Sequence, residues 1–320
     1  MAKVDNKGMV HGTAGSVVYR RYRDMNIIQG KPRKFKQSPE SIRASTEFGL
    51  SSSAAAVVRQ AFQPVYIHRD GEAASRSTQL IYRSIRGGLT GRVGQRDLHD
   101  ADLSSIIGME FNNNSPLSQV LQVSRRVERD AEGRISVFMG ALNAKTDIRV
   151  PAGISKAVSK YRIRFSLIGF NFRKEYYEYV EVKDLEVRKY GQLEAQEIRF
   201  ETLPEADQLL MLSVSLQAYS ETRMDEGHVL LNTREFSPCA LIAAYAAEEP
   251  GEYPTGPVNL ELSEKQEARR ASLCTMCYEG NRLLRNRERK FGHKASATKT
   301  RTIDEKDSPV FQAGKRVSFS

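Results

Sequence analysis

The stretch YRIRFSL, Tyr161 to Leu167, sets large apolar side chains (Tyr161, Ile163, Phe165, Leu167) against Arg162, Arg164 and Ser166. A period of two marks a strand with one face on a core, because successive side chains leave the backbone on opposite sides. The period returns in LMLSVSLQA, Leu210 to Ala218, where Leu210, Leu212, Val214 and Leu216 oppose Ser213, Ser215 and Gln217. Weaker runs lie at Tyr176 to Val182, Ile198 to Thr202, His228 to Asn232 and Ala240 to Tyr245. Upstream, Leu121, Val123 and Val127 alternate with Gln122, Ser124, Arg126 and Glu128, and Asp130 to Gly133 turns the chain into Ile135 to Leu142. About seven or eight strands without helix-period segments between them predict an antiparallel β-sandwich, Ig-like, with one wet face.

On the N-terminal side the period changes. Ser38-Pro39-Glu40 reads as N-cap, first helical residue and an acid at the positive end of the helix dipole. The helix is expected to reach about Phe62, ahead of Pro64, with Ile42, Phe48, Ala55, Val58 and Phe62 as its apolar stripe. Its centre, Ser51 to Ala56, is small enough for close approach to another element. A second helix, Glu72 to Arg86, turns Leu80, Ile81 and Ile85 inward and stops at Gly87-Gly88. Its Arg76, Arg83 and Arg86 share a face that is expected to be basic and exposed. Gly88 to Asn114 carries glycines, asparagines and one apolar knot (Ile106, Ile107, Met109, Phe111), and reads as a domain boundary.

Before these helices stands GMVHGTAGSVVYRRYRDMNIIQGKPRKFK, Gly8 to Lys36. Val17, Val18, Tyr19 and Tyr22 favour a strand, Asp24-Met25-Asn26 a turn, and Ile27-Ile28 a return strand that ends at Gly30 and Pro32. Val18, Arg20 and Tyr22 point one way and Val17, Tyr19, Arg21 and Arg23 the other, so neither face is apolar. A lone two-stranded ribbon is marginal in water. The stretch is therefore expected to be a docking arm, on its own domain or on a neighbour. Tyr19 to Arg23 could also stack on bases and reach phosphates, but the same arginines fit the carboxylates of a neighbouring copy.

After the strands, EEPGEYPTGP, Glu248 to Pro257, reads as a linker, and Ser263-Glu264-Lys265-Gln266 as a capping box that opens a helix to about Lys290. That helix ends in RLLRNRERK, where Arg282 and Arg285 are candidate anion contacts; a polar tail follows from His293. The chain thus reads as α+β: a β-ribbon docking arm (1–36), a helical segment and linker (37–114), a β-sandwich (115–247), and a linker, basic helix and polar tail (248–320).

The net charge of +10 is uneven: residues 1–90 hold 15 Lys/Arg against 6 Asp/Glu, residues 91–247 hold 20 against 22, and residues 248–320 hold 14 against 11. A basic N-terminal third suits a polyanion or acidic patches on neighbouring copies. No apolar run nears the ~20 residues of a membrane span. MAKVDNKGMVHG lacks the apolar core of a secretory signal, which makes a cytoplasmic location the default, with release in a particle or non-classical export as alternatives. With three cysteines there is no disulfide framework.

Signals of chemistry are sparse. Cys274-Thr275-Met276-Cys277 is a CxxC within the expected helix, without a second pair and with His293 as its one downstream ligand type, so it reads as structural rather than metal-binding or redox. His11, His68, His99, His228 and His293 show no ligand spacing and read as loop or solvent residues. Asp97, Asp100 and Asp102 lack the Gly and Glu of a calcium loop. No phosphate-cradling glycine pattern, G-x-S-x-G or H-E-x-x-H occurs. The expectation is no catalytic residue, no metal, no cofactor and no enzyme.

The ribbon GTAGSVVYRRYRDMNIIQGKPRK, the helix SIRASTEFGLSSSAAAVVRQAFQPV, the phrase GMEFNNNSPLSQVL and the β segment ALNAKTDIRVPAGISKAVSKYRI resemble, in this order, a group of uncharacterised Bacteroidota-type proteins. The resemblance spans about residues 8 to 246 and implies the order of parts, not an activity. The function expected from the residues is a structural subunit that assembles with copies of itself into a filament, shell or surface layer by strand addition through the N-terminal arm. The alternative is a basic protein associated with nucleic acid or ribonucleoprotein. A ligand-binding sandwich is a third reading, slightly weakened by the absence of Trp.

Overall fold

The computed structural model describes residues 2–22, 25–33, 37–221, 227–254, 258, 267 and 270–286. The chain forms two compact units, Met1–Ile42 and Arg43–Ser320.

The first unit is a four-stranded antiparallel meander of β1 (Lys3–Val4), β2 (Val10–Ala14), β3 (Val17–Tyr22) and β4 (Met25–Gly30). The Asp5 carboxylate shapes the first turn by accepting from the backbone N–H of Lys7 and of Met9, both at 2.9 Å. The β2–β3 turn sets Gly15 at φ 60°, where a side chain would be strained. The expected ribbon is therefore one half of a larger sheet. Met25 and Asn26, read as turn residues, are strand residues instead: Met25 pairs with Tyr22 and Asn26 with Arg21. No described residue of this unit is buried, and Val4, Tyr22, Met25 and Ile28 are exposed.

The second unit is mixed α and β. Ser38 Oγ caps α1 (Pro39–Tyr66) by accepting from Ser41 N–H. The helix runs through Pro64 instead of stopping before it and ends at Ile67, which takes the left-handed conformation, φ 59°. The proline removes a bond one turn from the helix end, where Gln60 is exposed. Leu50, Ala54, Ala55, Val57, Val58, Ala61 and Phe62 are all buried while Ser52, Ala56, Gln60 and Gln63 are exposed, so the helix turns one broad face, partly built from alanines, to the core. Phe48, expected inward, is exposed and meets Tyr82 edge-on at 5.8 Å. In α2 (Ala73–Gly87), Ile81 and Ile85 are buried. Residues 88–114 form 3-10 turns at Leu98–Asp100 and Leu103–Ile106 and send Leu98, Leu103, Ile106, Met109 and Phe111 into the same core as α1.

The strands follow with short helical turns among them: α3 (Leu117–Val120), β5 (Arg125–Arg129), β6 (Ile135–Met139), β7 (Leu142–Asn143), α4 (Ala144–Asp147), α5 (Ala152–Ser155), β8 (Lys160–Asn171), β9 (Tyr176–Arg188), β10 (Gln192–Leu193), β11 (Gln196–Phe200), β12 (Leu209–Glu221), β13 (His228–Leu230), β14 (Cys239–Tyr245) and β15 (Leu273–Thr275). Pairing is antiparallel. A six-stranded sheet, β13-β12-β8-β9-β15 with β14 also on β12, curls as a half-barrel; β11-β6-β5 form a three-stranded sheet and β10-β7 a two-stranded one.

The three long strands serve two cores on opposite faces. Tyr161, Ile163, Phe165 and Leu167 of β8, with Leu210, Leu212, Val214 and Leu216 of β12, meet Ile135, Val137, Met139, Ile198 and Phe200 of the three-stranded sheet. From Ile168 onward the apolar positions change face: Ile168, Phe170 and Phe172, with Leu209 and Met211, meet α1, α2 and Phe111. Phe62 lies 5.3 Å from Phe111 and 6.1 Å from Phe170, ring centre to ring centre. The face expected to be wet is largely dry. Ser166, Ser213, Ser215 and Gln217 are buried on it, and Arg162 and Arg164 are tied to Glu186 and Asp184 at 2.8 and 2.7 Å.

The C-terminal region departs most from expectation. Cys274 lies in β15, paired with Tyr177 of β9, and Cys277 follows in a loop, so the CxxC is not on a helix. Residues 280–286 are helical. The capping box at 263–266 and the tail from His293 lie outside the described residues. The expected linker is held to the body, with Glu249 N–H donating to Ala206 O at 2.9 Å.

Candidate functional site

The candidate contact residues fall into three places. Val17, Val18, Tyr19, Arg20, Arg21 and Tyr22 share β3, with Val17, Val18 and Tyr19 half-buried and Arg20, Arg21 and Tyr22 exposed; Arg23 lies outside the described residues. On α2, Arg83 and Arg86 are exposed and Arg86 lies 5.7 Å above the Tyr82 ring. Arg76 does not join them. It pairs with Asp70 at 2.6 Å and donates to Glu110 O, because its position on the helix turns it toward the segment after α2. Arg282 pairs with Glu279, and Arg285 is half-buried. The structure therefore does not gather the arginines of α2 into one free basic face.

What it does assemble is a groove of about 460 Å³ between two strand edges far apart in sequence. One wall is β5, an edge strand that pairs with β6, and contributes Arg125 and Val127. The other is β14, whose first half is bridged by residues 108–111 (Gly108 N–H to Leu241 O, 2.8 Å; Phe111 N–H to Cys239 O, 2.9 Å) and whose second half, Ile242 to Tyr245, faces the groove. At one end Arg129 lies 5.5 Å above the Tyr245 ring and pairs with Glu248 at 2.7 Å.

Glu110 sits in this groove. Its Oε1 accepts from Leu117 N–H at 3.0 Å, while the buried Oε2 has no partner. Burial pushes its carboxyl up to about 7, against the opposing pull of the Leu117 and Ser118 amides and of Arg76 and Arg125. A buried acceptor without a donor is a costly arrangement that an incoming N–H or cation would relieve. The walls are apolar; Leu117, Ala240, Leu241 and Ala243 are buried behind them and Ile107 is exposed at the rim. Two edges and an apolar floor are the ingredients of strand addition.

A second polar cluster is enclosed. Arg173, after β8, donates from Nε to Asp97 at 3.0 Å and from Nη2 to Asp100 at 3.1 Å, and its guanidinium lies 4.2 Å from the Tyr253 ring centre. Tyr253 donates to Asp100, and Arg173 also donates to Gly251 O. His99, read as a loop or solvent residue, is buried because the 3-10 turn capped by Asp97 carries it inward, where its Nε2 accepts from Phe172 N–H at 3.1 Å. Burial pushes Asp97 up to about 6 and His99 down to about 3, with Arg173 countering the first shift and adding to the second. Asn281 closes the cluster by donating to Phe172 O and to Glu175, each at 2.9 Å. These bonds clamp the β8–β9 turn, the 3-10 turn, residues 248–254 and the C-terminal helix together.

Among the described residues no group of three or more His, Cys, Asp or Glu side chains could hold a metal ion, and no helix is long and apolar enough to cross a membrane. Comparison of the chain with protein-family models, with curated proteins and with solved structures finds no match.

Proposed function

We propose that this chain is a non-enzymatic structural subunit that assembles with copies of itself, its N-terminal meander adding to a strand edge of a neighbouring copy. The observation that carries this reading is the dryness deficit of the first unit: four strands, no buried described residue, and Val4, Tyr22, Met25 and Ile28 left exposed. Such a sheet gains too little from apolar burial to offset the entropy of ordering it, so a surface from elsewhere must complete it. The groove between β5 and β14 is the acceptor in this proposal. It offers two strand edges, an apolar floor and an acceptor oxygen of Glu110 to a segment whose residues 1–36 are rich in Lys and Arg. The three- and six-stranded sheets around the first core act in this reading as a β-sandwich that presents the groove.

Light scattering and electron microscopy of the full chain and of a variant lacking residues 2–36, at matched concentrations, test the reading. Multimers from the full chain and monomers from the truncated one are expected. A full chain that stays monomeric at high concentration, or multimers that survive the truncation, would sink it.

A further inference from the structure

Away from the groove, the C-terminal end of α1 carries a concavity of about 220 Å³ lined by Arg59, Gln60, Gln63, Tyr66, Ile67 and Arg69. Its charge is uncompensated. Arg59 donates from Nη1 to Ser77 Oγ at 2.6 Å and toward Ala74 O at 3.4 Å, both neutral, and its buried Nε has no acceptor. Among the described residues neither Arg59 nor Arg69 has a carboxylate partner. The acid next in sequence, Asp70, is already taken by Arg76 at 2.6 Å and by the Glu72 and Asn113 amides at 2.7 Å. Burial and the neighbouring Arg69 both lower the Arg59 pKa, so the two guanidinium groups repel each other across the pocket.

The backbone beside the pocket is strained. Ile67, which lines the pocket two residues before Arg69, is held at φ 59°, a conformation that a β-branched residue rarely adopts. Its amide is fixed by Gln63 O at 3.2 Å and the next amide, of His68, by Tyr66 O at 2.6 Å. Strain of this kind persists where surrounding structure imposes it, and it gathers at ligand clamps.

We propose that this pocket binds a phosphate group, with the Arg59 and Arg69 guanidinium groups donating to its oxygens and the Gln60 and Gln63 amides at its rim. Two planar forks match a tetrahedral oxyanion, and the anion supplies the charge that the pocket lacks. The volume holds a phosphate and the first few atoms of its carrier, so a phosphorylated small molecule and a nucleic-acid backbone are both sources of the same group. The proposal does not depend on self-assembly.

Calorimetry on the full chain with pyrophosphate, and in a separate arm with a short single-stranded oligonucleotide, tests it, together with NMR of the arginine Nε–H resonances. Saturable pyrophosphate binding that shifts the Arg59 signal is expected, as is weakening by roughly tenfold or more in Arg69→Gln, which removes one charged fork. Arg69 is exposed, so this variant should melt as the parent does. Arg59→Lys, which keeps the charge but not the fork, should also weaken binding. If the oligonucleotide alone binds, with the same sensitivity to Arg69, the pocket stands and its source is a nucleic acid. No saturable binding of either probe, or equal affinity in parent and Arg69→Gln, overturns the proposal.

Discussion

Arg173 neutralises two carboxylates that would otherwise be stranded out of water, Asp97 being fully buried and Asp100 nearly so. Replacing it by Gln leaves both behind, and loss of one partner from a buried ion pair typically costs about 3–5 kcal/mol. Urea unfolding of Arg173→Gln should show a loss of that order at pH 7 and a smaller one at pH 5, where Asp97, already pushed up to about 6, takes a proton. Glu110 shifts in the same direction and for the same reason, burial. Its folded pKa of about 7 lies above the ordinary value, so the folded state keeps a proton that the unfolded chain releases. The stability this contributes is full below about pH 4.5 and is lost as pH rises through about 7. Glu110→Gln should therefore raise stability by roughly 3 kcal/mol at pH 8 and by little at pH 4, read from denaturant midpoints. His99 runs the other way: its depressed pKa gives stability that is present above about pH 6.5 and lost as pH falls toward 3.

At the scale of elements, the strands were legible in the amino-acid sequence because alternation is local. Tyr161 to Leu167 and Leu210 to Ala218 fall inside β8 and β12. What alternation does not reveal is what lies on the far side, so Ser213 and Ser215 read as wet residues when they are buried. In α1 the small centre was legible: Ser51 to Ala56 reads as a place of close approach, and Ala54 and Ala55 are buried there, as is Ala61, whose carbonyl accepts from Tyr179 OH at 2.7 Å. Ala55→Leu should cost about 1–3 kcal/mol by overpacking, measured by thermal or chemical denaturation. The groove was invisible beforehand because its walls, residues 125–127 and 240–245, meet only through the fold. The Arg173 cluster was hidden for the same reason, and β15 because three residues give no period. Under the proposed assembly, Ile107→Lys places a charge at the groove rim on an exposed residue; assembly should weaken about tenfold, a change of about 1.4 kcal/mol, by concentration-dependent light scattering, with the monomer's melting unchanged.

At the scale of the whole molecule, β8 and β12 wall both cores of the second unit, so the cores cannot open independently. Phe165→Ala, in the core of the three-stranded sheet, and Phe62→Ala, in the helical core, should each cost about 3–5 kcal/mol and move one shared unfolding transition rather than split it. Coincident circular dichroism and tyrosine fluorescence curves would show this, and separate transitions would refute it. The closing segment bears on how such a molecule is made. The α1 core is shared by Met276 and Tyr278, Glu279 N–H donates to Ser53 Oγ at 2.8 Å, and a Cβ on Gly49 would touch Leu283. The α1 helix thus waits for residues 273–286, far downstream of it, and the sheet it lies on is completed only with β14 and β15. On the ribosome, the helix therefore emerges long before its cover exists, and until then its alanine- and phenylalanine-bearing surface is left to chaperones or to provisional contacts.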